Sequence, residues 1–188
     1  LNKKEEKKKE KKMISDKERK NRLRKYKESQ KVYLLTSRFT NETWEENKAF
    51  KRENRISCVY CSPDPIRQNI PVNSILLILE MNNNTNKIMG IGMVKNHPIC
   101  NKYKVYKKEN YNRYVYMGKN RIDRVEMNEE EEEIMNIFDI LCFKGNKHMK
   151  RSRGLKSFPI DMLYKIFEGV EVDLIKRISE MFKIRIMT

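Results

Sequence analysis

The residues best suited to bind metal or move protons are few: two histidines and four cysteines in 188 residues. Four of these six fall in two pairs, Cys58-x-x-Cys61 and His97-x-x-Cys100, with 35 residues between them. Each pair has the spacing of a zinc ligand set, in which thiolates and imidazoles take tetrahedral positions. Cys58 and Cys61 lie within or at the end of an apolar strand pattern, however, so their thiols point to awkward or opposite faces. No metal and no cofactor are expected, and Cys58, Cys61, His97 and Cys100 stand as the weaker alternative. Catalytic motifs are also missing. There is no Gly-rich phosphate loop followed by Lys and Ser or Thr, and no nucleophile elbow. His148 lies in a basic run that suits phosphate contact better than base catalysis, so an enzyme is not expected.

Anion chemistry is far better represented. The stretch 144–156 carries Lys144, Lys147, Lys150, Arg151, Arg153 and Lys156, with His148 among them and no acid. Gly145 and Gly154 in the same stretch let backbone amides approach an anion, so these seven residues are the expected phosphate-binding set. Between 103 and 116 the chain alternates tyrosines with Lys104, Lys107, Lys108 and Arg113, a pattern in which rings stack on bases while cations hold phosphates. Tyrosine is also simply a good strand residue. The formal charge is +16, of which +8 lies in the first thirty residues (fourteen Lys/Arg against six Asp/Glu). Such a balance attracts polyanions, with nucleic acid ahead of anionic lipid or an acidic protein. The Asn and Lys content also matches the codon bias of an AT-rich genome.

The elements that must carry these residues follow from the apolar pattern. Residues 1–30 alternate Lys and Glu with almost no apolar residue before Met13, and read as a basic, charged helical or disordered arm. The domain starts at Lys31, with Val32-Tyr33-Leu34-Leu35 as a buried strand. A polar loop over 36–41 leads to a helix over 42–51, with Thr40 or Asn41 as N-cap. Strands are expected over 56–60, 72–81, 88–94, 102–106 and 113–117. Ile75-Leu76-Leu77-Ile78-Leu79 is apolar on both faces and belongs mid-sheet, paired with 88–94 across an Asn-rich turn. Gly90 and Gly92 share one face of that partner strand and admit a close neighbour. Helices follow over 127–142, 161–167 and 173–184. The whole is an α+β fold: a small curved mixed β-sheet or partial barrel with flanking helices. Its expected divisions are 1–30, a core domain over 31–160, and C-terminal helices over 161–188 packed on that domain. No apolar stretch is long enough to span a bilayer and no secretion signal opens the chain, so no membrane partner and an intracellular place, cytoplasmic or nuclear, with reduced cysteines are expected. The chain opens without Met, as a fragment or processed chain would.

Lys31-Val32-Tyr33-Leu34-Leu35-Thr36-Ser37, then Val59-Tyr60-Cys61-Ser62, then the buried strand and Ile88-Met89-Gly90-Ile91-Gly92-Met93 together resemble the YTH domain of the PUA-like superfamily, with its EVE and ASCH relatives. The chain is also similar to uncharacterised proteins of large DNA viruses. The resemblance covers residues 31–95 and implies a base pocket formed by Ser37, Arg38, Asn41, Tyr60, Cys61 and Ser62. In that pocket Tyr60 stands where the family carries a cage tryptophan. It implies a nucleic-acid-binding protein, RNA ahead of DNA, that reads a modified base. The alternatives are a viral structural or packaging protein that binds nucleic acid or acidic partners non-specifically, and an enzyme with a PUA-like pocket.

Overall fold

The computed structural model describes residues 3–187 and has an α+β architecture. Two sheets are present, one of five strands and one of three, and neither closes into a barrel. The contacts divide the chain into two units, one formed by residues up to Lys31 with Pro159–Asp173, the other by Val32–Phe158 with the C-terminal helix.

In the first unit, helix α1 (Lys3–Ser29) faces α4 (Ile160–Val170). Tyr26 stacks on Phe167 at 5.3 Å and lies tilted against Tyr164 at 5.4 Å, while its hydroxyl donates to Asp173 at 3.4 Å. Burial and the Asp173 carboxylate both raise its phenol well above the usual value. Residues 1 and 2 of the expected basic arm lie outside the described residues.

The second unit is built on strand β3 (Ile75–Asn82). It lies between β1 (Val32–Phe39), to which it runs parallel, and β4 (Lys87–Lys95), which is antiparallel. Residues 76–82 are buried throughout, as an interior strand with apolar side chains on both faces requires. Strands β7 (Asn120–Asp123) and β8 (Lys156–Ser157) complete the order β7-β4-β3-β1-β8. The smaller sheet has the order β2-β6-β5, from Cys58–Ser62, Tyr114–Gly118 and Ile99–Cys100. A parallel pair needs a crossover, and α2 (Asn41–Asn54) with β2 supplies it. Thr40 caps α2 by accepting from the Thr43 amide, while the Thr43 side chain accepts from the Thr40 amide. Helix α3 (Glu129–Phe143) opens with Asn128 as its cap and four glutamates in its first turn. Helix α5 (Leu174–Met187) is tied to α3 by Arg185, whose Nη1 and Nη2 donate to Glu131 at 2.6 and 2.7 Å.

One expected strand is absent. Residues 102–106 run irregularly because Asn112 takes the place of a partner strand. Its Oδ1 accepts from the Val105 and Tyr106 amides at 3.0 and 2.9 Å, and its Nδ2 donates to the Tyr106 carbonyl at 2.7 Å.

Candidate functional site

Two polar constellations stand out in the sheet unit, and they are opposite in kind. The first is enclosed. Glu80, on β3, is fully buried. It accepts from the Tyr60 hydroxyl at 2.7 Å, from Arg121 Nε at 3.0 Å and from Arg121 Nη2 at 2.7 Å. Arg121 also donates from Nη1 to Asp123 at 2.6 Å. Burial alone would lower the Arg121 guanidinium, but the charge and hydrogen bonds of Glu80 and Asp123 overcome it and hold the group further up. Burial, with Glu80 beside it, pushes the Tyr60 phenol well above its usual range. Trp44 of α2 covers the network, with the Arg121 guanidinium 5.7 Å and Lys51 Nζ 5.2 Å from its ring centroid.

This network corrects the expectation of an open aromatic face at Tyr60. The ring is 0% exposed. A Cβ on Gly92 would overlap the Tyr60 ring and hydroxyl, and one on Gly90 would crowd the Ile122 carbonyl and Arg121. The two same-face glycines therefore make room for protein side chains and backbone, so that Tyr60 can reach Glu80 through the core. Cys61, Ser62 and Ser37 are buried as well, and Ser62 Oγ accepts from the Leu155 amide at 3.4 Å. Tyr60, Cys61, Ser62 and Ser37 thus form part of the interior instead of lining an open mouth.

The zinc spacing does not assemble either. Among the described residues no group of three or more His, Cys, Asp or Glu side chains is placed to hold a metal ion. Cys58 is buried with Sγ directed at the Met93 and Asn120 carbonyls, and burial pushes its thiol up to about 12. Cys61 is buried too, whereas Cys100 is exposed on β5. Three residues along a strand reverse the side-chain direction, which is why the first pair cannot converge.

The second constellation sits at the carboxyl end of β1, beside the turn joining β3 to β4. There the chain brings together Arg38, Asn41 and the basic run. Asn82 Nδ2 donates to Asn41 Oδ1 at 3.2 Å, and the Asn41 amide donates to Asn84 Oδ1 at 2.9 Å, which fastens the asparagine turn to the start of α2. The turn also holds the basic run: Asn83 Nδ2 donates to the Lys150 carbonyl at 3.3 Å, and Lys150 Nζ donates to Asn86 Oδ1 at 2.7 Å. Arg38 Nε donates to the Met149 carbonyl, and the Met149 amide donates back to Cys142 at 2.7 Å. Among the described residues no carboxylate forms a salt bridge with Arg38; burial lowers its guanidinium to about 10, and the nearby Cys142 thiol offsets this only in part. It remains charged at neutral pH.

Residues 144–156 are thus an anchored connection. Lys144, Lys147, Arg151 and Arg153 are exposed along it, His148 and Lys150 are half-buried, and Lys156 enters β8 opposite Thr36. Among the described residues, none of the six Lys and Arg side chains of this run forms a salt bridge, whereas Arg121, Arg124 and Arg185 each have a carboxylate within 2.7 Å. Both Arg38, at the mouth of the expected pocket, and the run were legible as candidates for one patch. The asparagine turn that joins them reads in sequence only as a turn. Away from this end, the expected tyrosine row keeps only part of its cations: Lys108 and Arg113 lie 5.7 and 5.8 Å from the rings of Tyr111 and Tyr114, whereas Lys104 and Lys107 pair with Glu109 and Glu46 at 3.7 and 3.9 Å.

Comparison with known proteins finds no family model that matches this chain and no significant match among curated proteins. No helix among the described residues is long and apolar enough to cross a membrane.

Proposed function

We propose that the protein binds nucleic acid, RNA ahead of DNA, through the surface formed by residues 144–156 and the adjoining end of β1. The observation that carries this reading is a run of six cations whose backbone is fastened at Met149 and Lys150 by Arg38 and Asn83, and none of which forms a salt bridge among the described residues. Uncompensated and anchored charge of one sign is what a phosphate backbone recognises, because each contact releases condensed counterions. The PUA-like relationship to YTH, EVE and ASCH domains is the fold-level part of the proposal. It is supported by the strand–helix–strand order over residues 32–95, in which the sequence likeness was read.

Enclosure of Tyr60 favours a particular version of this function. A ring without an exposed face offers no stacking surface to a base. Binding is therefore directed to the backbone, which is the mode of the structural or packaging alternative.

Titration of labelled single-stranded RNA, single-stranded DNA and duplex DNA at 50 and 200 mM salt tests the proposal. Affinity should fall with salt, and neutralising Lys144 and Lys147 together should flatten the log–log slope by about 0.7 per lost contact on single strands. Absence of binding to all three polymers at the lower salt would reject the reading.

A further inference from the structure

The basic surface covers a second, deeper feature. Four buried side-chain polar atoms among the described residues lack a hydrogen-bond partner, and three of them, Arg38 Nη1, Asn83 Oδ1 and His148 Nδ1, belong to residues gathered at one three-residue stretch, 148–150. Arg38 is bonded to Met149, Asn83 to Lys150, and His148 is the first residue of the stretch itself. A buried charged group without an acid partner and with an unfilled donor is expensive, and native proteins retain few of them. Their clustering calls for a ligand that supplies what the protein leaves open.

The open positions define that ligand. Arg38 offers a charged N–H with no acceptor, and its planar fork matches an oxyanion. His148 Nδ1 can donate a second hydrogen bond when that nitrogen carries the proton. Asn83 Oδ1 is an acceptor and suits a hydroxyl or a water bound beside the anion. Among the described residues no carboxylate forms a salt bridge with Arg38, and the exposed cations of the same run draw anions toward it.

We infer that Arg38, Asn83 and His148 form a site for a single phosphate group beneath the 148–150 stretch. As a contact to one phosphate of a bound strand the inference rests on the proposed nucleic-acid function. As a site for free phosphate it stands alone. The site differs from the surrounding surface in kind: Lys144, Lys147, Arg151 and Arg153 hold phosphates through exposed charge, whereas Arg38 holds one by direct hydrogen bonds in a poorly hydrated setting.

The test uses the full chain with inorganic phosphate as probe, at constant ionic strength against chloride. Phosphate should raise the melting temperature saturably in the wild type and in the Lys144→Gln, Lys147→Gln variant, and should not do so in Arg38→Met. On labelled single-stranded RNA, Arg38→Met should weaken binding about five- to tenfold. If phosphate protects the wild type but not Arg38→Met and no oligonucleotide binds, the phosphate site stands and the nucleic-acid reading falls; equal protection of both, with equal RNA binding, overturns the inference. If free phosphate does nothing but Arg38→Met weakens RNA binding, the phosphate comes from the strand and the inference also stands. If phosphate does not protect the wild type and Arg38→Met binds RNA like the wild type, the inference is overturned. Should Arg38→Met fail to fold, the Arg38 Nε–H resonance of the wild type decides: a saturable shift on phosphate addition supports the site, and an unmoved resonance on addition of both phosphate and RNA overturns it.

Discussion

Arg38 and Arg121 are both largely withdrawn from water, and they differ in what faces them. Arg121 spends its donors on Glu80 and Asp123, so the charge it brings into the core is cancelled on the spot. Arg38 meets a backbone carbonyl and a thiol-bearing neighbour, and keeps a buried donor open. The same side chain thus serves two ends. Saturated, it locks one strand to another; left unsaturated, it holds a place for an anion from outside. The lesson is that burial alone does not mark an arginine as structural, and that the census of its partners does.

The largest effect should come from breaking the saturated side. Glu80→Ala leaves Arg121 buried without its main partner and the Tyr60 hydroxyl without an acceptor, a loss of about 3–5 kcal/mol. Urea denaturation of this variant beside Arg38→Met sharpens the contrast, because Arg38→Met removes an uncompensated charge and should be at least as stable as the wild type. Equal losses in the two variants would erase the distinction between the two arginines.

A smaller effect belongs to Tyr60→Phe. The ring and its packing remain while one hydrogen bond to a buried carboxylate is lost, which should cost about 1.5–3 kcal/mol. A variant as stable as the wild type but with altered oligonucleotide affinity would mean that the hydroxyl serves a ligand instead of Glu80.

The smallest concerns pH. The hydrogen bonds from Arg185 hold the Glu131 carboxyl below its usual range, and the charge of Arg185 adds to them. A depressed carboxyl contributes stability that is present above its unfolded pKa of about 4.3 and is lost as pH falls through the lower folded value. Between about pH 5 and pH 2 the stability of Glu131→Gln should therefore fall less steeply than that of the wild type, by about 1 kcal/mol over the window. Parallel acid curves in urea would show that this pair contributes nothing measurable.

Much of the sheet could be read from residue patterns, and the reasons are physical. The run 75–79 is apolar on both faces, a pattern that only an interior strand tolerates, and β3 is that strand. Thr40 or Asn41 before three glutamates announced the start of α2, and Thr40 is the one that forms the capping box. What was not legible depends on long-range partners. Tyr60 reads as a strand-end aromatic, and its burial follows from Glu80 and Gly92, which lie 20 and more residues away. A signal for it did exist: a carboxylate between Leu79 and Met81 in an otherwise apolar run must find a cation or a donor, and Arg121 and Tyr60 are what it finds. The same blindness applied to 102–106, where the tyrosines suggested a strand and Asn112 satisfied the backbone instead. The candidate site was half visible, since charge pattern located residues 144–156 but could not say that Asn83 and Asn86 of the turn hold them.

Strand β1 ends at Phe39, and the two-residue strand that covers its outer edge ends at Ser157, 118 residues later. During synthesis at about 5–20 residues per second, that edge of β1 remains unpaired for roughly 6–24 s. An apolar strand with an open edge is a template for pairing with another chain. Nascent chains are therefore at their most adhesive before Lys156 emerges. Chaperone demand and losses to aggregation should follow translation speed through the second half of the message more than they follow the stability of the finished fold.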